Sequence, residues 1–423
     1  MKKQTLVLSA LAALALASSA SAQTVINITG ATAFRQAAHQ AIIDSLGNLT
    51  YGYQSTNIGN AGRAIFKGDI NSGADQVIVR TSWGGAVAGI RAIVNQADAV
   101  TYFSSTTGGL TLGGTPNLSP ATESTTANSI AFADNSQDNT PFDAVALGGG
   151  PVGVVAFVPV VNETAQLTQG DNITTLQLRR MIQAGNAPLQ FITGDALDAG
   201  IKIYWTGRQD TSGTRVIYLS EMGVGASAAA QQWRVEPLNT SASAAVTQIR
   251  LWPTGDATNQ SIIWGADAAG NGGYASGGAL APVLQRTSSS GVTVLNASGG
   301  SIATNQEVVL LSVISAQEGE DIQVGGGKVL AYNGVYIEPE TIANGGLNAA
   351  DRAKIIKGDY TLWSYERLFY RDDLDQIGLD FVALLEAQVP LNIGGNGIAL
   401  TDMRVTRPAA TDGGSLTVLG SLL

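Results

Sequence analysis

Short β-branched runs alternate with segments of helical spacing over most of this chain, and Gly, Ser and Thr turns join them. Residues 24–28 are such a run. It stops at Thr29-Gly30-Ala31-Thr32, and residues 34–46 then carry apolar side chains at helical spacing. Residues 76–80 repeat the pattern, with Thr81-Ser82-Trp83-Gly84-Gly85 as the joint and residues 86–95 as the helix. Residues 152–161 are almost continuously apolar, which suits a strand buried on both faces. Residues 174–184 read as a helix capped by Thr174 or Thr175. Repeated strand–turn–helix units predict an α/β fold with largely parallel or mixed sheets.

Other segments carry less pattern. Residues 104–128 are rich in Thr, Gly and Ser and read as a surface loop or a small hairpin. Residues 267–278, which include Ala268-Ala269-Gly270-Asn271-Gly272-Gly273, read as a flexible loop able to approach a ligand. Residues 347–385 read as helical with a strand-like interruption near 360–363, the Trp363-Ser364-Tyr365-Glu366 stretch packing the core, and residues 401–418 read as β-like. No internal repeat of fixed period is present, which argues against solenoids and propellers.

The amino terminus points to a compartment. Lys2-Lys3, an apolar run over residues 6–17 and the small residues Ala20-Ser21-Ala22 make a cleavable secretory leader over residues 1–22, too short to span a bilayer. No later stretch is apolar enough to do so, and no Cys follows the leader to carry a lipid, so the mature chain is expected to be periplasmic or secreted and not inserted in a membrane. With no cysteine at all, it has to hold its fold without disulfides, through a sizeable hydrophobic core, and its length suits two lobes. The formal net charge is −10 and becomes more negative by two when Lys2 and Lys3 leave with the leader, which argues against nucleic acid and anionic lipid as partners. One His and no Cys nearly exclude metal chemistry on imidazole or thiolate, and no cofactor is expected.

The most informative segment is Thr206-Gly207-Arg208-Gln209-Asp210-Thr211-Ser212-Gly213-Thr214-Arg215. A strand-like stretch, residues 201–205, precedes it, and residues 216–222 can continue as a helix. A Ser-Gly-Thr turn opening a helix offers N–H groups, two hydroxyls and the positive end of the helix dipole to an anion. Arg208 adds a planar fork for two oxygens of an oxyanion, and Asp210 is placed to hold that fork. Gly213 lets the backbone come close. The competing reading is a glycine turn with a solvated Arg–Asp pair. The turns at Thr29–Phe34 and Ser82–Gly85 have the same chemistry, and each can present N–H groups and a hydroxyl, although a Ser or Thr helix cap needs no ligand. His39 is read as a helix-surface or packing residue, and no Gly-x-Ser-x-Gly elbow accompanies it, so an enzyme is not expected.

Taken in order, these segments resemble the periplasmic phosphate-binding protein of the high-affinity phosphate ABC transporter. The family's Gly-Ala-Ser/Thr-Phe turn corresponds to Gly30-Ala31-Thr32-Ala33-Phe34, with one residue more between Gly and Phe. Its Ser-Ser-Gly-Gly helix start corresponds to Ser82-Trp83-Gly84-Gly85, and its acid to Asp134 in Ile130-Ala131-Phe132-Ala133-Asp134. Its Arg-x-Asp-x-Ser-Gly-Thr motif is matched in full by Arg208, Asp210, Ser212, Gly213 and Thr214, while residues 152–158 look like its crossing strand. The resemblance implies a two-lobed periplasmic-binding-protein fold with mixed sheets and a hinge: lobe I over 23–158 and 309–423, lobe II over 159–308. It further implies a monomer that binds inorganic phosphate through Thr32, Ala33, Ser82, Asp134, Arg208, Asp210, Ser212, Gly213 and Thr214 and delivers it to a permease. Asp134 would select an anion that carries a proton, because a carboxylate repels one that does not; its competing reading is an exposed loop acid. A binder of a related oxyanion, such as a phosphonate or arsenate, and a secreted surface protein without a transport role remain the rival functions.

Overall fold

The computed structural model describes residues 23–95, 98–238, 244–255, 263–264, 267–340, 346–393, 397–408 and 411–419. The expected leader lies outside these. The amino-terminal part contains β1 (Thr24–Gly30), α1 (Arg35–Ser45), β2 (Gly47–Tyr53), β3 (Arg63–Ile70), β4 (Asp75–Ser82), α2 (Ala86–Val94), β5 (Val100–Phe103), β6 (Thr122–Thr125), β7 (Ile130–Ala133) and β8 (Gly148–Val161). Then come α3 (Thr175–Ala184), α4 (Gln190–Thr193), β9 (Lys202–Trp205), α5 (Gly213–Glu221), α6 (Gly277–Leu284), β10 (Ser301–Ser315), α7 (Ala316–Val324), α8 (Ala349–Lys357), β11 (Trp363–Tyr370) and α9 (Gln376–Asn392).

The protein is a mixed α/β structure. Among the described residues, 15 strands join in one mixed sheet. Its main path runs from Trp233–Val235 through Gln248–Leu251, Ser289–Leu295, β10, β8, β11, β7, β1 and β4 to β3 and β2. β1 lies parallel between β4 and β7. β11 is antiparallel to both β7 and β8, while β9 runs parallel to β10.

Apolar faces explain this stacking. Ile28, Val79, Phe132 and Leu368 bury one face under α1 and α9, through Phe34, Ile42, Phe381 and Leu385. Ala131, Ala133 and Phe369 on the other face meet Ala86 and Ile90 of α2. Parallel strands covered on both faces need such continuous apolar runs. The largest cluster packs Val158, Trp205, Tyr218, Leu311, Ile314 and Trp363. The long β8 serves both clusters, pairing with β11 over Gly148–Ala156 and with β10 over Phe157–Val161. The expected lobe boundaries near 158 and 309 fall within β8 and β10.

Local signals appear where the sequence places them. Thr174 caps α3 in a reciprocal capping box with Gln177, and Gly185 closes the helix in the left-handed region. Two expectations change. The strand-like interruption near 360–363 is the eight-residue β11, in the middle of the sheet; its Glu366 and Arg367 masked a run that tertiary partners allow to be buried. Residues 401–418 contain a 3₁₀ turn, Leu400–Asp402, and only two-residue strands at Val405–Thr406 and Thr417–Val418. The Thr/Gly-rich stretch contributes β6, which closes a hairpin with β5, and its Thr111 and Thr115 bridge to Tyr51 and Gly52.

Candidate functional site

Register brings three of the expected segments to one rim. Thr29 lies beside Ser82 and Gly30 beside Phe132, so β4, β1 and β7 end level at their carboxyl ends. Ligands of open α/β sheets gather at such an edge. The segments leaving these strands are tied together: Ala31 N donates to Phe132 O at 2.7 Å, and Gly85 N donates to Gly30 O at 2.9 Å. Gly30 has φ +124°, and a Cβ there would meet the Phe132 carbonyl, so no other residue fits this crossing. Thr32, Ala33 and Ser82 are buried at the rim, and Asp134, directly after β7, is only 2% exposed.

The motif segment reaches the same rim from the other core. β9 ends at Trp205, and residues 206–212 lead into α5, whose N-cap residue Ser212 is extended and makes no capping hydrogen bond with its side chain. Thr211 O accepts from Val87 N at 3.1 Å and from Ala88 N at 3.4 Å, so the motif loop caps α2. Gly213 lies against the Asp134 carboxylate and Ala86; a Cβ at 213 would collide with both. Gly213 is therefore brought to Asp134, and Ser212 and Thr214 on either side of it are buried too.

The turn at Ser82–Gly85 uses its backbone differently from the expectation. Trp83 N donates to Gly62 O at 3.1 Å, and with Gly85, Val87 and Ala88 already committed, this helix start spends its N–H groups on the protein's own carbonyls. Trp83 has a second role. Its Nε1 donates to His39 Nε2 at 3.0 Å, which leaves Nδ1–H to donate to Ile58 O at 2.8 Å. His39 is thus a neutral packing residue, its pKa lowered to about 3 chiefly by burial.

Arg208 is 3% exposed, which removes the solvated alternative. Its Nε donates to Tyr274 O at 3.3 Å and a terminal nitrogen to Ala275 O at 3.2 Å, so the glycine-rich loop over 267–278 does approach this group. Burial pulls its pKa down, opposed by the charges of Glu318 and Asp134. Asp210 does not hold the Arg208 fork. Its Oδ2 accepts from Ile263 N at 2.6 Å, and Arg215 and Arg91 are the cations that act on it. The backbone turn between residues 208 and 210 directs the two side chains to different neighbours, which linear spacing does not convey.

Asp134 is buried, so the exposed-loop alternative fails as well. Burial raises its pKa to about 7, with Arg208 opposing and Asp412 and Glu318 adding to the rise. Its Oδ1, the Ser212 hydroxyl and Asp210 Oδ1 are buried without a hydrogen-bond partner. Unsatisfied buried polar atoms are costly, and the Asp134 and Ser212 oxygens, at an uncapped helix start where Arg208 acts on Asp134, make a polar constellation that can take a donor-bearing anion. Thr214 is buried one residue further into the helix.

The sequence reading gave four charged side chains here no place at the site, Glu366 being read only as part of a core-packing stretch. Glu318 on α7 and Arg35 at the start of α1 both feel the charge of Arg208, and Glu366 of β11 is buried and feels that of Asp134. Asp412 accepts from Ser136 N at 2.8 and 2.9 Å and from Asn139 at 2.8 Å, fixing the turn after Asp134, and it pairs with Arg367 at 3.1 Å. Two residues on, Gly414 N donates to Glu221 at the end of α5 at 2.8 Å, and Arg407 pairs with the same carboxylate at 2.9 Å. Of these, only Glu318 had a local signal, the Ser-x-x-Glu spacing from Ser315 that marks a helix start. Among the described residues no group of three or more His, Cys, Asp or Glu side chains could hold a metal, and no helix is long and apolar enough to cross a membrane.

No protein-family model matches the chain, nor does any curated protein. Among solved structures it is similar to a high-affinity periplasmic phosphate-binding protein, PfluDING, bound with phosphate: 13% identity over 89% of this chain and 90% of that one, TM-score 0.40. It is similar to PstS from Borrelia burgdorferi, at 10% identity over 89% and 99% of the two chains, TM-score 0.37. It is also similar to a hydrogen-peroxide-bound OxyR mutant from Corynebacterium glutamicum, at 8% identity over 92% and 74%, TM-score 0.34. All three scores lie below one half, and none of these likenesses decides what the site holds.

Proposed function

We propose that this chain captures a protonated tetrahedral oxyanion, with inorganic phosphate as its expected occupant, between the start of α5 and the carboxyl ends of β1, β4 and β7. One arrangement supports the reading above all: the unpartnered Ser212 hydroxyl and Asp134 Oδ1 lie buried with Arg208 around an uncapped helix start. The helix end and Arg208 attract negative charge, and Ser212 supplies a hydroxyl. Asp134 accepts the proton that phosphate carries near neutral pH and sulfate does not, and so rejects the latter. Capture without turnover fits these residues, and delivery to an ABC-transporter permease outside the cytoplasmic membrane is the proposed setting. Calorimetric titration tests the binding. Phosphate is expected to bind at least tenfold (about 1.4 kcal/mol) more tightly than sulfate; no phosphate binding, or equal binding of both, defeats the proposal. Phosphonate and arsenate in the same titration separate the related-oxyanion reading.

A further inference from the structure

Glu366 sits in the middle of β11 with 0% exposure, and neither of its carboxyl oxygens has a hydrogen-bond partner in the structure. Antiparallel register places it with care. The ladder between β11 and β7 ends at the pair Arg367–Ala133, and Glu366 and Asp134 are the next residues beyond that end on the two chains. Opposed residues on antiparallel strands share a face, about 4.5–5.5 Å apart at Cβ. Phe132 and Leu368, two residues away on each strand, do share one, in the same core cluster. Asp134 Oδ1 is likewise without a partner. Two buried carboxyl groups that face each other cannot both be ionised at modest cost, and a buried acid that keeps its proton needs an acceptor.

We propose that Glu366 is the positioning residue of the site: a carboxylic acid that keeps its proton above neutral pH and donates it in a hydrogen bond to Asp134, so that there the pair holds one proton and one charge. The inference rests on the oxyanion reading above and adds a cause for it. With Glu366 donating to one oxygen, Asp134 is held ionised and aimed, its other oxygen free to accept the proton of the bound anion. The charges around the pair are consistent with this division. Arg208, from the loop before α5, favours the ionised form of Asp134, while Asp412 in the carboxyl-terminal segment and Glu318 on α7 disfavour it. Burial, then the charge of Asp134, holds the Glu366 proton in place against Arg367 on its own strand.

Two measurements test it. Infrared difference spectra of the ligand-free protein, Glu366→Gln against the wild type, should show a carboxylic-acid carbonyl band that persists above neutral pH and is lost in the variant. Phosphate titrations over a pH series should leave Glu366→Gln, which keeps a donor, within about threefold of the wild type, while Glu366→Leu loses about tenfold or more and needs a higher pH to reach its tightest binding. An absent band overturns the proposal, as does a Glu366→Leu protein with wild-type affinity and pH profile, or a Glu366→Gln protein that binds more tightly because a repelling charge has gone. If Glu366→Leu does not fold, the infrared band and Glu366→Gln decide. A wild type that binds no phosphate defeats the oxyanion reading instead, and the band still decides the carboxyl pair.

Discussion

Gly213 has no room for a side chain, because the Asp134 carboxylate and Ala86 occupy the place of its Cβ. Gly213→Ala is therefore expected to push α5 away from Asp134, weakening phosphate binding by about tenfold or more and costing about 1–3 kcal/mol of stability. Calorimetry and denaturant melts would show both; unchanged values would mean the contact is not made in solution. Asp134 itself has a pH signature. Its pKa of about 7 in the fold lies above the ordinary carboxyl value, so the folded protein holds a proton that the unfolded chain releases. That contribution is complete below about pH 4 and is lost as pH rises through about 7. The melting temperature of the ligand-free protein should fall over that window, and Asp134→Asn should flatten part of the fall while reducing the preference for phosphate over sulfate. Equal slopes for the two proteins would refute the assignment.

At the scale of elements, the carboxyl-terminal segment does more than its sparse strands suggest. Asp412 fixes the turn after Asp134, while Arg407 and Gly414 hold the far end of α5 through Glu221. One short stretch thus braces both walls of the site. Asp412→Ala removes the carboxylate that faces the buried Arg367 guanidinium and should cost about 3–5 kcal/mol, with phosphate affinity falling alongside; a loss below about 1 kcal/mol would show that the brace is dispensable. This brace was not legible in the sequence. The β1–α1 and β4–α2 units and the capped α3 were, because capping and periodicity are local. The motif was legible for the same reason, as a hydroxyl–glycine–hydroxyl turn after a strand. Lost were the features set by distant partners: β11, whose buried Glu366 and Arg367 break the apolar pattern; the β2–β3 hairpin at the sheet edge; and the turn of Asp210 away from Arg208 towards Ile263.

Across the whole molecule, two large apolar clusters flank the site and are joined by the continuous β8. Thr211 O caps α2, and Gly213 lies against Asp134, so the site is shut at these two contacts. Opening it would release Val87 N and Ala88 N and wet the Ser212 hydroxyl. Small-angle scattering should accordingly give a larger radius of gyration for the ligand-free protein than for the protein with saturating phosphate. Identical curves would argue for a rigid molecule with a preformed site.

The strands that serve both clusters also bear on how such a gene can be rearranged. β8 passes from one cluster to the other without a break, and β11 lies along its first half. A chain divided inside β8 or β10 would bare a row of N–H and C=O groups on each fragment, an edge that pairs with whatever strand it meets. Fragments made separately should aggregate, and exchange of whole halves between relatives should fail at those points. Even the Thr/Gly-rich excursion between β5 and β6 is constrained, because its Thr111 and Thr115 cover the edge of β2 and shortening it would bare that edge.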